Sequence, residues 1–377
     1  MSIQNAYEPR IPYTRVLFLL MLIIVPVSIY GFFTISQADS RMQESIGGNF
    51  RTIAESNAFE ISSFIHDRVT QSAMMAATPE VRRIAEQANT RYRGMATAAF
   101  EAMVQETERR WNLPEGAALV KEIISNPVSE NLRNVIRLDP RYLRITITDE
   151  RGAVIAATHK TLDFYQADEE FWQAIHSDGR GKINITDVLY DDVTRANYIG
   201  IGVPILEPGS ERFIGSLDAL VDVSELSRIV KRATMGPTAR ISLVKDDGVI
   251  ISAPNTTLSM NLKSQDFDAV SDLLQTQEGR SKGYTVTAYP GGSKHVVAVA
   301  DTGLKKDYRN LGWFVLVAQD TQHAFAPIRT ANTLISFIAL AGLAFLTLLV
   351  VIFDMNRKRQ YVDMASATGV KAPDEQD

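Results

Sequence analysis

The run Asp163–Trp172, DFYQADEEFW, places four aromatic rings and four carboxylates within ten residues. Pockets for small molecules combine flat apolar walls with a few oriented polar groups. Tyr165, Glu169, Phe171 and Trp172 are therefore candidate recognition residues. The competing reading is that Phe171 and Trp172 anchor a short helix to a sheet while the acids face water. A second source of polar groups is Phe213–Val223. Its alternation puts Ser216, Asp218, Leu220 and Asp222 on one face of a strand and Leu217, Ala219, Val221 and Val223 on the other. A face carrying two carboxylates opposite an all-apolar face is either wet or binds something. Asp187, Tyr190 and Tyr198 are further rim candidates, each of which taken alone can equally be structural.

Other chemistries find no support. The chain has no cysteine, which removes disulfides, thiolate metal sites and thiol catalysis together. Its five histidines, His66, His159, His176, His295 and His323, are scattered without metal-ligand spacing. No nucleophile elbow or phosphate-binding loop occurs, and Gly200-Ile-Gly202 is a fragment with no third glycine. The net charge of −5, with no basic stripe among aromatics, gives no support for nucleic acid. The expectation is a binding protein without catalysis, metal or cofactor.

The elements that must position these residues come from a duplication. Arg144–Ala157, RITITDERGAVIAA, recurs without a gap 96 residues later as Arg240–Ala253, RISLVKDDGVIISA. Each copy reads as an apolar strand, an acidic turn closed by glycine and a second strand. Each is followed by a polar stretch and further strands, the pattern of a duplicated module. The predicted architecture is α+β, with two mostly antiparallel sheets on a long N-terminal stalk. The stalk's apolar stripe (Ile46, Phe50, Ile53, Ile61, Phe64, Ile65, Val69, Ala73, Ala76) serves either packing on its own modules or a homodimer seam. Gly47-Gly48 is a point where it can bend. Thr78-Pro79-Glu80 begins a second helix predicted to run to about Trp111.

Val16–Ile35 and Thr333–Phe353 carry no charge over 20 and 21 residues, long enough to cross a hydrocarbon core of ~30 Å. Arg10 and Arg15 precede the first, and Arg357, Lys358 and Arg359 follow the second. The positive-inside rule then puts both termini in the cytoplasm and the intervening chain outside, in the plasma or inner membrane. The expected organisation is a cytoplasmic N-terminus (1–15), transmembrane helix 1 (16–35), stalk helices (36–112), a membrane-distal module (113–235), a membrane-proximal module (236–328), transmembrane helix 2 (333–353) and a cytoplasmic tail (354–377).

Residues 36–328 resemble the double Cache family of tandem PAS-like extracytoplasmic sensor domains. The likeness is carried by ISLVKDDGVIISAP, Gly279–Tyr284 and Leu311–Ile328 in the second module. In the first it lies in TITDERGAVIAAT, Asp163–Ile175 and Val221–Leu226. The resemblance implies a small-molecule pocket in the distal module and a relaying role for the proximal one. It also ranks Asp222 above Asp218, because amino-acid-sensing relatives place there a carboxylate for the ligand's ammonium. Those relatives carry an arginine two residues before a Trp-Tyr pair. If Phe171-Trp172 is that pair, the position is Glu169, which favours a cationic or neutral ligand over an α-amino acid, with Arg195 the nearby cation that could reverse this. The chain ends 24 residues after the second span, so its signal is expected to pass to a separate signalling protein. The alternative is a membrane-tethered scaffold that binds another envelope protein.

Overall fold

The computed structural model describes the backbone of residues 13–326 apart from 192–195, 233–237, 255, 257–260 and 290–291, with scattered positions of 337–352; before residue 43 only scattered side chains are described. Among the described residues no helix is long and apolar enough to cross a membrane. Most side chains of 16–35, most of 333–353 and the tail 354–377 lie outside them, so both expected spans do as well. By internal contacts the chain divides into Gly47–Asp320 and a second unit of Met1–Ile46 with Thr321–Asp377.

Helix α1 runs Tyr13–Ala76, and α2 (Pro79–Arg91), α3 (Thr97–Trp111), α4 (Ala117–Ser125) and α5 (Pro127–Leu138) follow. Of the stripe of α1, Phe50, Ile61, Phe64, Ile65, Val69 and Ala76 are buried within the chain, and Ile46, Ile53 and Ala73 are half-buried. Gly47 lies within α1. A Cβ there would overlap the Tyr284 ring, so glycine lets α1 approach the second module closely. The single helix expected from Thr78 to Trp111 is two, because the chain reverses through Tyr92–Ala96 with Gly94 at φ 80°. Thr78 does not cap α2 with its side chain; its hydroxyl donates back to the Met75 carbonyl at 2.9 Å.

The first sheet contains β1 (Tyr142–Asp149), β2 (Val154–Ala157), β3 (Asn184–Ile185), β4 (Leu189–Asp191), β5 (Ala196–Leu206) and β6 (Phe213–Asp222), in the order β2-β1-β6-β5-β3 with β4 also on β5. Helix α6 (Glu170–His176) lies between β2 and β3 in sequence, and α7 (Ser224–Arg232) follows β6. The second sheet contains β7 (Arg240–Lys245), β8 (Ile250–Ser252), β9 (Tyr284–Ala288), β10 (Lys294–Asp301) and β11 (Trp313–Asp320), in the order β8-β7-β11-β10-β9. Helices α8 (Gln265–Gln275) and α9 (Gln277–Lys282) precede β9. All pairings are antiparallel. The copies correspond strand for strand in sheet order: β1 with β7, β2 with β8, β6 with β11 and β5 with β10. Even the register shifts agree, falling at Ile147/Thr148 in one and Leu243/Val244 in the other. Gly152 and Gly248 close the two hairpin turns at φ 88° and 84°, a conformation other residues seldom adopt.

Arg68 of α1, almost wholly buried, ties the stalk to the first module by pairing with Asp139, its guanidinium lying over the Tyr142 ring. Burial works against the Asp139 carboxylate, but hydrogen bonds from Arg141 and Arg68 outweigh it and hold its pKa down at about 2. With the unfolded value near ~3.9, Asp139 stabilises the fold fully above about pH 4, and that contribution is lost as pH falls through about 2. Arg68→Met should cost about 3 kcal/mol in urea unfolding at pH 7, because it breaks a buried pair. It should also reduce the loss of stability between pH 4 and 2; an unchanged acid limb would show that Asp139 does not depend on Arg68.

Candidate functional site

The polar face of β6 turns toward α6, and its register defines the floor of a recess. Asp218 stands opposite Thr146 of β1 and Gly202 of β5, and Leu220 opposite Arg144 and Gly200. Arg144 and Asp218 are thus diagonal neighbours on one face, with Cα atoms on the order of 7–8 Å apart. Phe171 of α6 closes over this floor. A Cβ at Gly202 would lie 2.9 Å from Phe171 Cζ and would overlap Ile175, and one at Gly200 would lie 3.3 Å from Thr186 Cγ2 and 3.4 Å from Phe171 Cζ. The two glycines therefore let an aromatic ring and an isoleucine descend onto the sheet beside Asp218.

The electrostatics of the recess are unbalanced. Asp218 Oδ1 and Arg144 Nε are both shielded from solvent without a hydrogen-bond partner, although each residue keeps part of its surface accessible. Burial pushes the Asp218 carboxyl up to about 6, against the opposing pull of the Arg144 guanidinium. Unpaired buried polar groups are costly, so such a pair invites a complementary partner.

The second module shows the same positions filled. Arg240, the counterpart of Arg144, is gripped by both oxygens of Asp266, at 2.7 and 2.9 Å. Register pairing puts Leu316 where Asp218 stands, and Val297 and Val299 where Gly200 and Gly202 stand. Leu316, Val297 and Val299 join Val244, Val270 and Ala318 in one apolar core. Gln166 and Ser264 each donate a backbone N–H to their turn glycine at 2.9 Å, which aligns Asp266 with Asp168. Asp168 does not close on Arg144; it is exposed and lines a separate cleft of about 470 Å³ with Phe100, Glu101, Val104, Glu108 and Tyr165.

The other expected site residues are dispersed. Tyr165 belongs to that separate cleft, its ring 6.3 Å from Phe100. Glu169 is exposed at the start of α6 with no capping bond from its side chain. Trp172 is buried, donating to Thr148 Oγ1 at 2.9 Å and stacking on His176 at 4.8 Å. Asp222 accepts from Ser224 N at 2.7 Å and Ser224 Oγ at 3.0 Å, which organises the start of α7. Tyr198 lies half-buried opposite Asp222 and Leu189, and Tyr190 is exposed on β4. Asp187 reaches the second module, 2.6 Å from Lys245 Nζ and accepting from Trp313 Nε1 at 3.1 Å. Arg195 lies outside the described residues. Of the nine, Phe171 and Asp218 are brought together on the recess floor. Arg144 and Thr186 join them there unforeseen; the signal for Arg144 was its match to Arg240 in the repeat.

Because Asp218 is held near pKa 6 in the fold and falls to ~3.9 when unfolded, the folded state favours its neutral form. The module thus loses stability as pH rises from about 4 to 6. Asp218→Asn should stabilise the protein at pH 7 by about 2–3 kcal/mol, and the gain should vanish at pH 4. Thermal unfolding of both proteins across that range checks this, and a destabilised Asp218→Asn would show that the carboxylate has a partner.

Residues 38–328 match the family model described as Cache domain. No curated protein matches the chain. Among solved structures, the chain is similar to the ligand-binding domain of the Pseudomonas fluorescens chemoreceptor CtaA in complex with L-leucine, at 14% identity over 76% of this chain and 99% of that one, with a TM-score of 0.46. The ligand-binding domain of the Pseudomonas aeruginosa amino acid chemoreceptor PctB in complex with L-arginine matches at 14% identity over 76% and 92%, with a TM-score of 0.45. The ligand-binding domain of Mlp24 with asparagine matches at 17% identity over 71% and 99%, with a TM-score of 0.39. At such identities no residue role passes from these proteins to this chain.

Proposed function

Since the chain belongs to the Cache domain family, we propose that it is a membrane-anchored extracytoplasmic sensor whose first module binds a small molecule on the Asp218 face. The observation that carries this reading is the contrast between the copies. One holds Arg144 Nε and Asp218 Oδ1 without hydrogen-bond partners beside two glycines, and the other fills the same lattice with Leu316, Val297 and Val299 and closes its arginine with Asp266. A sheet face that serves only as core needs neither unpaired charge. The anchor is supported by the charge-free stretches 16–35 and 333–353 and by their basic flanks.

The chemistry of the recess narrows the ligand class. In the second module a carboxylate occupies the arginine, so a ligand carboxylate is the natural partner for Arg144. Asp218 in turn asks for a hydrogen-bond donor close to that carboxylate. α-Amino acids and α-hydroxy acids carry both groups on adjacent atoms. Glu169, whose charge weighed against an α-amino acid in the sequence, faces solvent, and the charges near Arg144 are those of Asp218 and the half-buried Asp163.

A thermal-shift panel of L-amino acids, 2-hydroxy acids, amines and sugars on the full chain in nanodiscs tests this. A member at a hundred times its dissociation constant should add ~2.7 kcal/mol. Arg144→Met should weaken that binding by roughly tenfold or more, the worth of a charge-assisted hydrogen bond. Asp218→Asn should reject an ammonium but tolerate a hydroxyl. The reading is overturned if no member binds, or if neither substitution changes affinity.

A further inference from the structure

We propose that Asp187 is the joint through which movement of the recess reaches the second module. The geometry is a short chain of bonded groups. Thr186 is held to β5 on both sides, its N–H donating to the Gly200 carbonyl at 2.9 Å and its hydroxyl accepting from Gly200 N at 2.7 Å. A Cβ at Gly200 would lie 3.3 Å from the Thr186 methyl and 3.4 Å from Phe171 Cζ. Through these two bonds a shift of Gly200 is carried to Thr186.

The next residue crosses to the other sheet. Asp187 Oδ2 pairs with Lys245 Nζ at 2.6 Å, and Oδ1 accepts from Trp313 Nε1 at 3.1 Å and from its own neighbour Val188 N at 2.8 Å. Lys245 and Trp313 are themselves partners across β7 and β11, so one carboxylate holds both strands at once. Asn310 adds a second tie, its side chain donating to the Ile185 carbonyl at 2.8 Å. Trp313 is fully buried, and it begins β11, a central strand of the second sheet that runs to Asp320. Hydrogen bonds to a charged carboxylate are short and directional, so they transmit displacement where a greasy contact would slide. Asp187 is therefore a positioning residue between modules; the recess is made by other groups.

This inference deepens the sensor reading but is tested without a ligand, so the two fail separately. The chain holds three tryptophans, Trp111, Trp172 and Trp313, whose indole N–H resonances can be assigned by Trp→Phe substitution in 15N-labelled full-length protein in nanodiscs. Gly200→Ala inserts a methyl that presses on Thr186 and Phe171. It should move the Trp313 resonance by more than its linewidth, and the same substitution in an Asp187→Ala background should leave Trp313 where that background puts it while Trp172 still responds. If Gly200→Ala does not fold, Thr186→Val, which deletes the acceptor for Gly200 N, takes its place with the same expectation. A Trp313 resonance indifferent to the perturbation, or one displaced equally without Asp187, overturns the proposal.

Discussion

A carboxylate set among protein atoms without a hydrogen-bond donor is one of the more costly arrangements that a fold can keep. Asp218 is in that position, and the first module is arranged around it. The opposing face of β6, with Leu217, Ala219 and Val221 fully buried, anchors the strand in the sheet so that the acid cannot turn away. Trp172, donating to Thr148, fixes α6 above the polar face, and the glycines of β5 let Phe171 and Ile175 come down onto it. Arg144 lowers the electrostatic cost from the neighbouring strand without satisfying the hydrogen bond. What remains is a polarised face on which one carboxylate oxygen has no hydrogen-bond donor.

The duplication separates the two demands that a single copy would have to meet together. The second sheet is packed as a core, its arginine closed by Asp266 and its floor made of valines and a leucine. Tyr289 donates to Asp266 and stacks on His295 at 4.4 Å, while His295 Nδ1 and Ser242 Oγ of that copy are buried without hydrogen-bond partners. The first copy leaves the equivalent charges open. Two packed modules bonded through Asp187 are suited to passing on small movements, because a closely packed interior transmits displacement and does not absorb it.

Much of the fold could be read from local pattern, since alternation and turn glycines act over a few residues. Both hairpins, the strand β6 and the division of its faces follow from period two alone. The helix break at Tyr92–Ala96 left little trace, because Gly94 is the only breaker there and buried Asn89 holds α2 through long-range bonds to Ile214 and Glu150. The site was harder still. Asp218 and Asp222 look equivalent along the strand, yet Asp222 lies at its end, where Ser224 takes both oxygens. Arg144 is 74 residues from Asp218 in the chain, and only strand pairing brings them to one face. Asp187 carries the same carboxylate as the others, but its partners come from the far module, a fact that no local pattern encodes.

The central claim is that Asp218 holds one carboxylate oxygen shielded from solvent and without a hydrogen-bond donor. The direct measurement is the 13C titration of its side-chain carboxyl carbon, assigned through Asp218→Asn. A midpoint near pH 6 is the predicted result. A midpoint near the ordinary ~3.9 would mean that the carboxylate is solvated or already paired, and would contradict the account.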